Sequence, residues 1–163
     1  MYRKDKIPDL IAVLRRYPQA WARMTGSDVY PEIQGIVKFF QTDQGVIVSA
    51  HITGLPRAED KCKQPIFAFH IHSGKRCAGN AEDRFAEAGM HDNPGGCAHP
   101  YHAGDMPPLF GAGGNAVSVF LTDRFHVDDI LGKTVIIHSS PDDFTTQPSG
   151  NSGVKIACGE IRR

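Results

Sequence analysis

Apolar and polar positions change their rhythm once near the start of the chain. Over residues 7–16, Ile7, Leu10, Ile11, Val13 and Leu14 recur close to helical spacing, and Pro18 limits any helix there. This predicts a short amphipathic helix that packs on the body of the protein or on a partner subunit. From about Gln19 the period becomes two. Ala20, Ala22 and Met24 alternate with Trp21, Arg23 and Thr25. Ile33, Gly35, Val37 and Phe39 alternate with Gln34, Ile36, Lys38 and Phe40. Val46, Val48, Ala50 and Ile52 alternate with Ile47, Ser49, His51 and Thr53. Side chains two apart on a strand share a face, so each run predicts a strand with one buried side. Ile66–His72, Ala116–Thr122, Thr134–His138 and Val154–Cys158 are further candidates.

Turn chemistry separates these runs at Thr42-Asp43-Gln44-Gly45, Gly54-Leu55-Pro56, 111–114 and 148–153. Short strands without intervening helices predict an all-β domain, a Greek-key β-barrel or sandwich of about eight strands. The domain division expected is an N-terminal helical extension over 1–18 and a barrel over 19–163. The stretch from Ser73 to Asn115 breaks the strand rhythm, and loops of that length are usually functional.

Composition narrows the choices. In 163 residues, 18 Lys and Arg balance 18 Asp and Glu, so no broad basic surface points to nucleic acid or anionic lipid. No apolar run approaches the roughly 18 residues of a membrane span. The apolar stretch behind the charged N-terminus is interrupted by Pro8, Asp9, Arg15 and Arg16, unlike a secretory leader. On that ground the expected location is cytoplasmic, with the periplasm or exterior as the alternative if a leader was removed. Cys62, Cys77, Cys97 and Cys158 match no zinc-finger or thioredoxin spacing. They allow three pairings into two disulfides, or four thiols in a reducing compartment.

The histidines change the picture most. In Phe69-His70-Ile71-His72 two imidazoles project to one side of a strand while Phe69 and Ile71 point to the core. The long loop adds His91, His99, His102 and Asp105, a set of imidazoles and a carboxylate that suits tetrahedral zinc. His138 closes another strand. Histidine-rich ligation without thiolate is compatible with Cu(II), Zn(II), Ni(II) or Fe(II), and ligand chemistry alone does not select among them. His51 on the polar face of its strand reads as a solvated histidine, His126 as a turn residue and Trp21 as packing or interface.

The order of these segments resembles a known family. Phe69-His70-Ile71-His72 is followed by Gly89-Met90-His91-Asp92-Asn93-Pro94, His102-Ala103-Gly104-Asp105, Asp128-Asp129-Ile130-Leu131-Gly132-Lys133 leading to His138, Pro141-Asp142-Asp143, Gly150-Asn151-Ser152-Gly153 and Ala157-Cys158-Gly159. Over roughly residues 20–161 the chain is similar to the copper/zinc superoxide dismutases, in a bacterial-type form. The resemblance implies a copper- and zinc-dependent oxidoreductase acting on the superoxide anion. It implies copper on His70, His72, His91 and His138, and zinc on His91, His99, His102 and Asp105, with His91 shared and active in proton transfer. Asp142 would hydrogen-bond both His70 and His99, and a disulfide would join Cys77 to Cys158. Lys155 stands where the family has an arginine that attracts the anion; lysine keeps the charge without the planar fork of donors. The segments between His99 and His102 and between Ser139 and Lys155 are shorter than in the family, which implies a more open channel. Cys62 and Cys97 are left as a second bridge or as free thiols. A homodimer is allowed, and no nucleic acid or membrane partner is expected. The rival reading is a copper/zinc-binding module of the same fold with little or no turnover.

Overall fold

A computed structural model describes residues 7–60, 62, 63 and 65–163. Eight strands form one sheet: β1 (Ala20–Gly26), β2 (Gln34–Thr42), β3 (Gly45–Thr53), β4 (Ile66–His72), β5 (Asp105–Phe110), β6 (Ala116–Thr122), β7 (Thr134–His138) and β8 (Lys155–Arg162). Their lateral order is β5-β4-β7-β8-β1-β2-β3-β6, with every neighbouring pair antiparallel. The sheet curls until its end strands β5 and β6 approach, making a nearly closed barrel. The chain passes between the two halves after β3, after β5 (across the seam) and after β6, in Greek-key fashion.

Alternation along the strands places the core as the period-two pattern predicts. Ala20, Ala22 and Met24 of β1, Val37 and Phe39 of β2, and Val46, Val48, Ala50 and Ile52 of β3 are all buried inside the barrel. Phe67, Phe69 and Ile71 of β4 meet them from across, with Val135 and Ile137 of β7. Burying each large apolar side chain is worth about 1.5–3 kcal/mol.

Three local features depart from the simple pattern. Phe40 and Ile47 face outward yet are buried, because the short helix α1 (Leu10–Leu14) lays Val13 and Leu14 over them and Val119. Asp9 caps that helix, its carboxylate accepting from the Ala12 N–H at 3.1 Å. The helix is a turn shorter than the apolar spacing of 7–16 suggests, and Ile7 and Ile11 remain exposed. Second, β5 reads Asp-Met-Pro-Pro-Leu-Phe and carries no strand signature, since proline cannot donate to a ladder. It is tolerated because β5 is an end strand and its pairing with β4 shifts register between Phe67 and Phe69. Third, His126 is the N-cap of a four-residue helix, α2 (Val127–Ile130), with its backbone N–H held by Asp129 at 2.9 Å.

The long connection from Ser73 to Gly104 folds back over the outer face of β4, β7 and β8. Phe85 and Ala88 from this loop pack on Ile136 of β7 and Cys158 of β8. Cys77 and Cys158 form a disulfide there, spanning 81 residues. Cys62 and Cys97 are free and exposed, so of the two options for that pair the structure has the thiols. Among the described residues no helix is long and apolar enough to cross a membrane.

Candidate metal centre

His70 and His72 project from the outer face of β4, opposite Phe69 and Ile71, yet the overlying loop leaves both almost without solvent contact. β4 lies between β5 and β7, so its outer face is flanked by Asp105, which pairs with His70, and by the end of β7, where His138 stands. The loop returns antiparallel to β4 at His91, which bridges to His72. Backbone bonds lock that approach: Ser73 N–H to Met90 C=O at 2.8 Å, Asp92 N–H to Ile71 C=O at 2.8 Å, and Ile71 N–H to Gly104 C=O at 2.9 Å. Gly104 has to be glycine, since a Cβ there would lie 2.2 Å from the Ile71 carbonyl oxygen.

Two quartets result. His70, His72, His91 and His138 bring one ligand atom each within 4.8 Å of one another, and so do His91, His99, His102 and Asp105. All seven residues are buried, and His91 belongs to both sets.

Hydrogen bonds to the far side of each ring determine which nitrogen is left over. His72 Nδ1 faces the Gly89 carbonyl at 2.8 Å and His138 Nδ1 faces the Gly153 carbonyl at 3.3 Å. A carbonyl only accepts, so both rings carry their proton on Nδ1 and present a lone pair at Nε2. Those two Nε2 atoms face each other at 3.2 Å. Two lone pairs at that separation need a cation between them. Burial, with the neighbouring imidazoles, pushes His72 well down and His138 to about 3, so both rings favour the neutral form that can act as a ligand.

Asp142 fixes two further rings. Its carboxylate accepts from His70 Nε2 at 2.7 Å and from His99 Nε2 at 2.8 Å, and from the Phe144 N–H at 2.7 Å. Burial favours the neutral acid, but these three donors outweigh it and hold the carboxyl below its usual range. Gly150 stands against this pair, with φ +70°; a Cβ there would fall 2.0 Å from Asp142 Oδ1. The opposite nitrogens, His70 Nδ1 and His99 Nδ1, are buried without an aligned hydrogen bond, as is His91 Nε2, although Asp105 Oδ2 lies 3.0 Å from His99 Nδ1. Orphaned buried nitrogens of this kind are costly unless something coordinates them.

In the second quartet the atoms that could ligate an ion are His91 Nδ1, His102 Nδ1, His99 Nδ1 and the Asp105 carboxylate, with contacts of 2.7–3.3 Å among them. Tetrahedral zinc with bonds near 2.0–2.1 Å spaces its ligands by roughly 3.3 Å. Burial raises Asp105, and His91, His99 and His102 more than reverse it. The donor sets therefore fit copper on four imidazoles beside zinc on three imidazoles and a carboxylate.

A cavity of about 470 Å³ opens over the first quartet, with His72, His91 and His138 in its wall together with Asp83, Arg84 and Lys155. Lys155 Nζ reaches Asp83 Oδ2 at 2.6 Å and the Phe85 carbonyl at 3.2 Å. Burial opposes ionisation of Asp83, but the bonds from Lys155 and the Phe85 N–H bring its carboxyl below the ordinary value. Arg84 pairs with Asp28 at 2.9 Å. Neither Asp83 nor the Gly89 carbonyl shows in the sequence pattern; both act across the fold.

Comparison with known proteins agrees with this geometry. The family described as copper/zinc superoxide dismutase (SODC) matches residues 33–161. The copper/zinc superoxide dismutase 2 of Aquifex aeolicus (strain VF5) is 34% identical over 146 residues, 80% of each chain. That of Legionella pneumophila is 30% identical over 140 residues, 81% of this chain and 80% of its own. Among solved structures, the copper/zinc superoxide dismutase of Brucella abortus shares the fold with a TM-score of 0.73 at 21% identity, over 87% of this chain and 99% of that one. A double mutant of a SOD-like protein from Bacillus subtilis aligns with a TM-score of 0.70 at 26% identity, over 88% and 97%. With both quartets in place and the family match running from β2 to β8, the chain belongs to the copper/zinc superoxide dismutase family.

Proposed function

We propose that the chain dismutates superoxide, two superoxide anions and two protons giving dioxygen and hydrogen peroxide. The observation that carries the reading is His91, one imidazole with Nδ1 in a zinc-type quartet and Nε2 in an all-histidine quartet. In this reading His70, His72, His91 and His138 hold copper, and His91, His99, His102 and Asp105 hold zinc. Copper held by the first quartet would supply the one-electron redox chemistry that the two superoxide anions require.

The residues supply geometry, protons and access. Gly89, Gly153 and Asp142 set the tautomers of His72, His138 and His70. His91 is the proton carrier. Its Nε2 has no protein partner and its ring stands in the cavity wall, so in place of copper that nitrogen can take up a proton from solvent and pass it to the forming peroxide. The other nitrogen, Nδ1, stands with His99, His102 and Asp105, and zinc held by that quartet would keep the ring oriented while the proton comes and goes.

Lys155 is the cation that draws the anion in, working against Asp83 beside it. Lys155→Glu is expected to slow the reaction by about tenfold or more at low salt and to reverse its ionic-strength dependence. Asp83→Asn should do the opposite, raising the low-salt rate severalfold. Stopped-flow rates across an ionic-strength series check both, and unchanged rates in both variants would remove the pair from steering.

The ion pair on Lys155 also favours the second reading, a metal-binding domain with little turnover. Apo protein loaded with copper and zinc, assayed for superoxide consumption with metals quantified on the same sample, separates the two. Consumption with about one copper and one zinc per chain supports the enzyme, and stoichiometric metal without consumption supports the binding domain.

Residues 1–18 act in this reading as an extension outside the barrel domain of 19–163. The exposed Ile7, Leu10 and Ile11 support a role in homodimer assembly. Removing 1–18 is expected to leave bound copper unchanged and to alter the sedimentation coefficient; loss of copper would place the extension within the metal-binding domain. The Cys77–Cys158 bridge supports an oxidising compartment over the cytoplasm.

A further inference from the structure

Only Pro100 and Tyr101 separate His99 from His102, and two more residues separate His102 from Asp105. Three ligand-bearing residues thus stand on one short stretch whose own hydrogen bonds are confined to its second half, where the His102 N–H donates to Asp105 Oδ2 at 3.0 Å and the Asp105 N–H to the His102 carbonyl at 3.3 Å. Its backbone is held from outside. The side-chain amide of Gln147 meets the main chain of His99 with both its functions: the His99 N–H donates to Oε1 at 2.9 Å, and Nε2 donates to the His99 carbonyl at 2.7 Å. Arg124, just past the end of β6, directs Nη1 at three carbonyls of the same stretch, those of Pro100 at 2.9 Å and of His102 and Asp105 at 3.2 Å each.

Neither side chain takes a ligand atom out of use. The Asp105 carboxylate faces His91, His99 and His102, while Arg124 holds the carbonyl of the same residue. The amide of Gln147 is likewise on the backbone of His99, leaving the ring to Asp142. Arg124 and Gln147 come from two different connections, 48 residues separating Gln147 from His99 and 19–24 separating Arg124 from the carbonyls it holds.

We propose that Arg124 and Gln147 are positioning residues for the zinc quartet. They hold the main chain of 99–105 in the ligating conformation, so that the metal does not have to order it on binding. The proposal rests on the zinc assignment made above. Outer partners of metal ligands commonly change metal affinity by 10–100-fold when removed, and the clamp belongs in that range. The single nitrogen of Arg124 serving three carbonyls makes a further point. A lysine ammonium also concentrates its donors on one atom, and it carries three of them.

The test uses the full chain with copper in the first quartet and Co(II) in place of zinc, whose visible bands report a tetrahedral site. Release of Co(II) to a chelator is followed in wild type, Arg124→Met, Gln147→Leu and Arg124→Lys. Release about 10–100-fold faster in Arg124→Met and Gln147→Leu is expected, with copper content and near-UV circular dichroism unchanged. Arg124→Lys should return to within a few-fold of wild type. Wild-type release rates in both Arg124→Met and Gln147→Leu would overturn the proposal. So would equal loss of copper and cobalt with no rescue by lysine, the mark of a general structural role. His102→Ala separates the two levels. If wild type gives no tetrahedral bands, or His102→Ala keeps them, the zinc assignment itself falls and the clamp with it.

Discussion

His72→Ala is expected to yield a folded, disulfide-bonded barrel that consumes no superoxide in a copper-dependent way. The ring contributes Nε2 to the all-histidine quartet, 3.2 Å from His138 Nε2, and nothing else nearby can replace it. The fold survives because His72 is at the end of β4 with its side chain on the outer face, while Phe69 and Ile71 carry that strand's packing into the barrel. Truncation frees the Gly89 carbonyl at the cavity wall, where water can reach it, so the stability cost is modest, about 1–2 kcal/mol. Metal analysis should show copper reduced and zinc retained, since the zinc quartet does not include His72. Full activity in this variant, at matched metal content, would refute the copper assignment.

Breaking the Cys77–Cys158 bridge should have the largest effect on stability. A crosslink spanning 81 residues removes chain entropy from the unfolded state worth about 4–5 kcal/mol. For a domain of this size that corresponds to a fall in Tm of roughly 10–20 °C. The consequence extends beyond the ledger. Cys77 lies on the same loop as Asp83 and Gly89, so the bridge ties to β8 the segment that neutralises Lys155 and fixes the His72 tautomer. Cys77→Ser with Cys158→Ser is therefore expected to lower copper retention during dialysis against chelator as well as Tm. A Tm within about 3 °C of wild type, measured by calorimetry on metal-loaded protein, would show that the loop is held by the packing of Phe85 and Ala88 alone.

Most of the barrel was legible in the period-two runs, because inside and outside alternate on a strand and Ala20, Ala22 and Met24 or Val46, Val48 and Ala50 display that directly. β5 was not, since Pro107 and Pro108 suppress the strand signature, and only its place at the end of the sheet makes them acceptable. α2 is too short to show a helical period. At the metal centre, His70 and His72 declare a shared face by their spacing, and the long loop offers His91, His99, His102 and Asp105 as a zinc-type set, while the sharing of His91 between two sites came from resemblance and not from any local pattern. Contacts made across the fold left no trace. Asp83 is 72 residues from Lys155, and Gln147 is 48 from His99. A lysine in a cavity reads as an available charge until its carboxylate partner is located.

The proline pair in β5 also bears on how the protein behaves when crowded. Any barrel that stops short of closure exposes two strand edges, and an exposed edge is a template for another chain. On the β5 side Pro107 and Pro108 offer no N–H groups, and the shifted register with β4 breaks the evenness of the row. An incoming strand would meet an interrupted row of donors and find no regular spacing to follow. The seam is thus blunted against fibril growth by the same residues that hid it from the strand pattern, and Pro107→Val with Pro108→Thr would restore a continuous edge able to recruit neighbours.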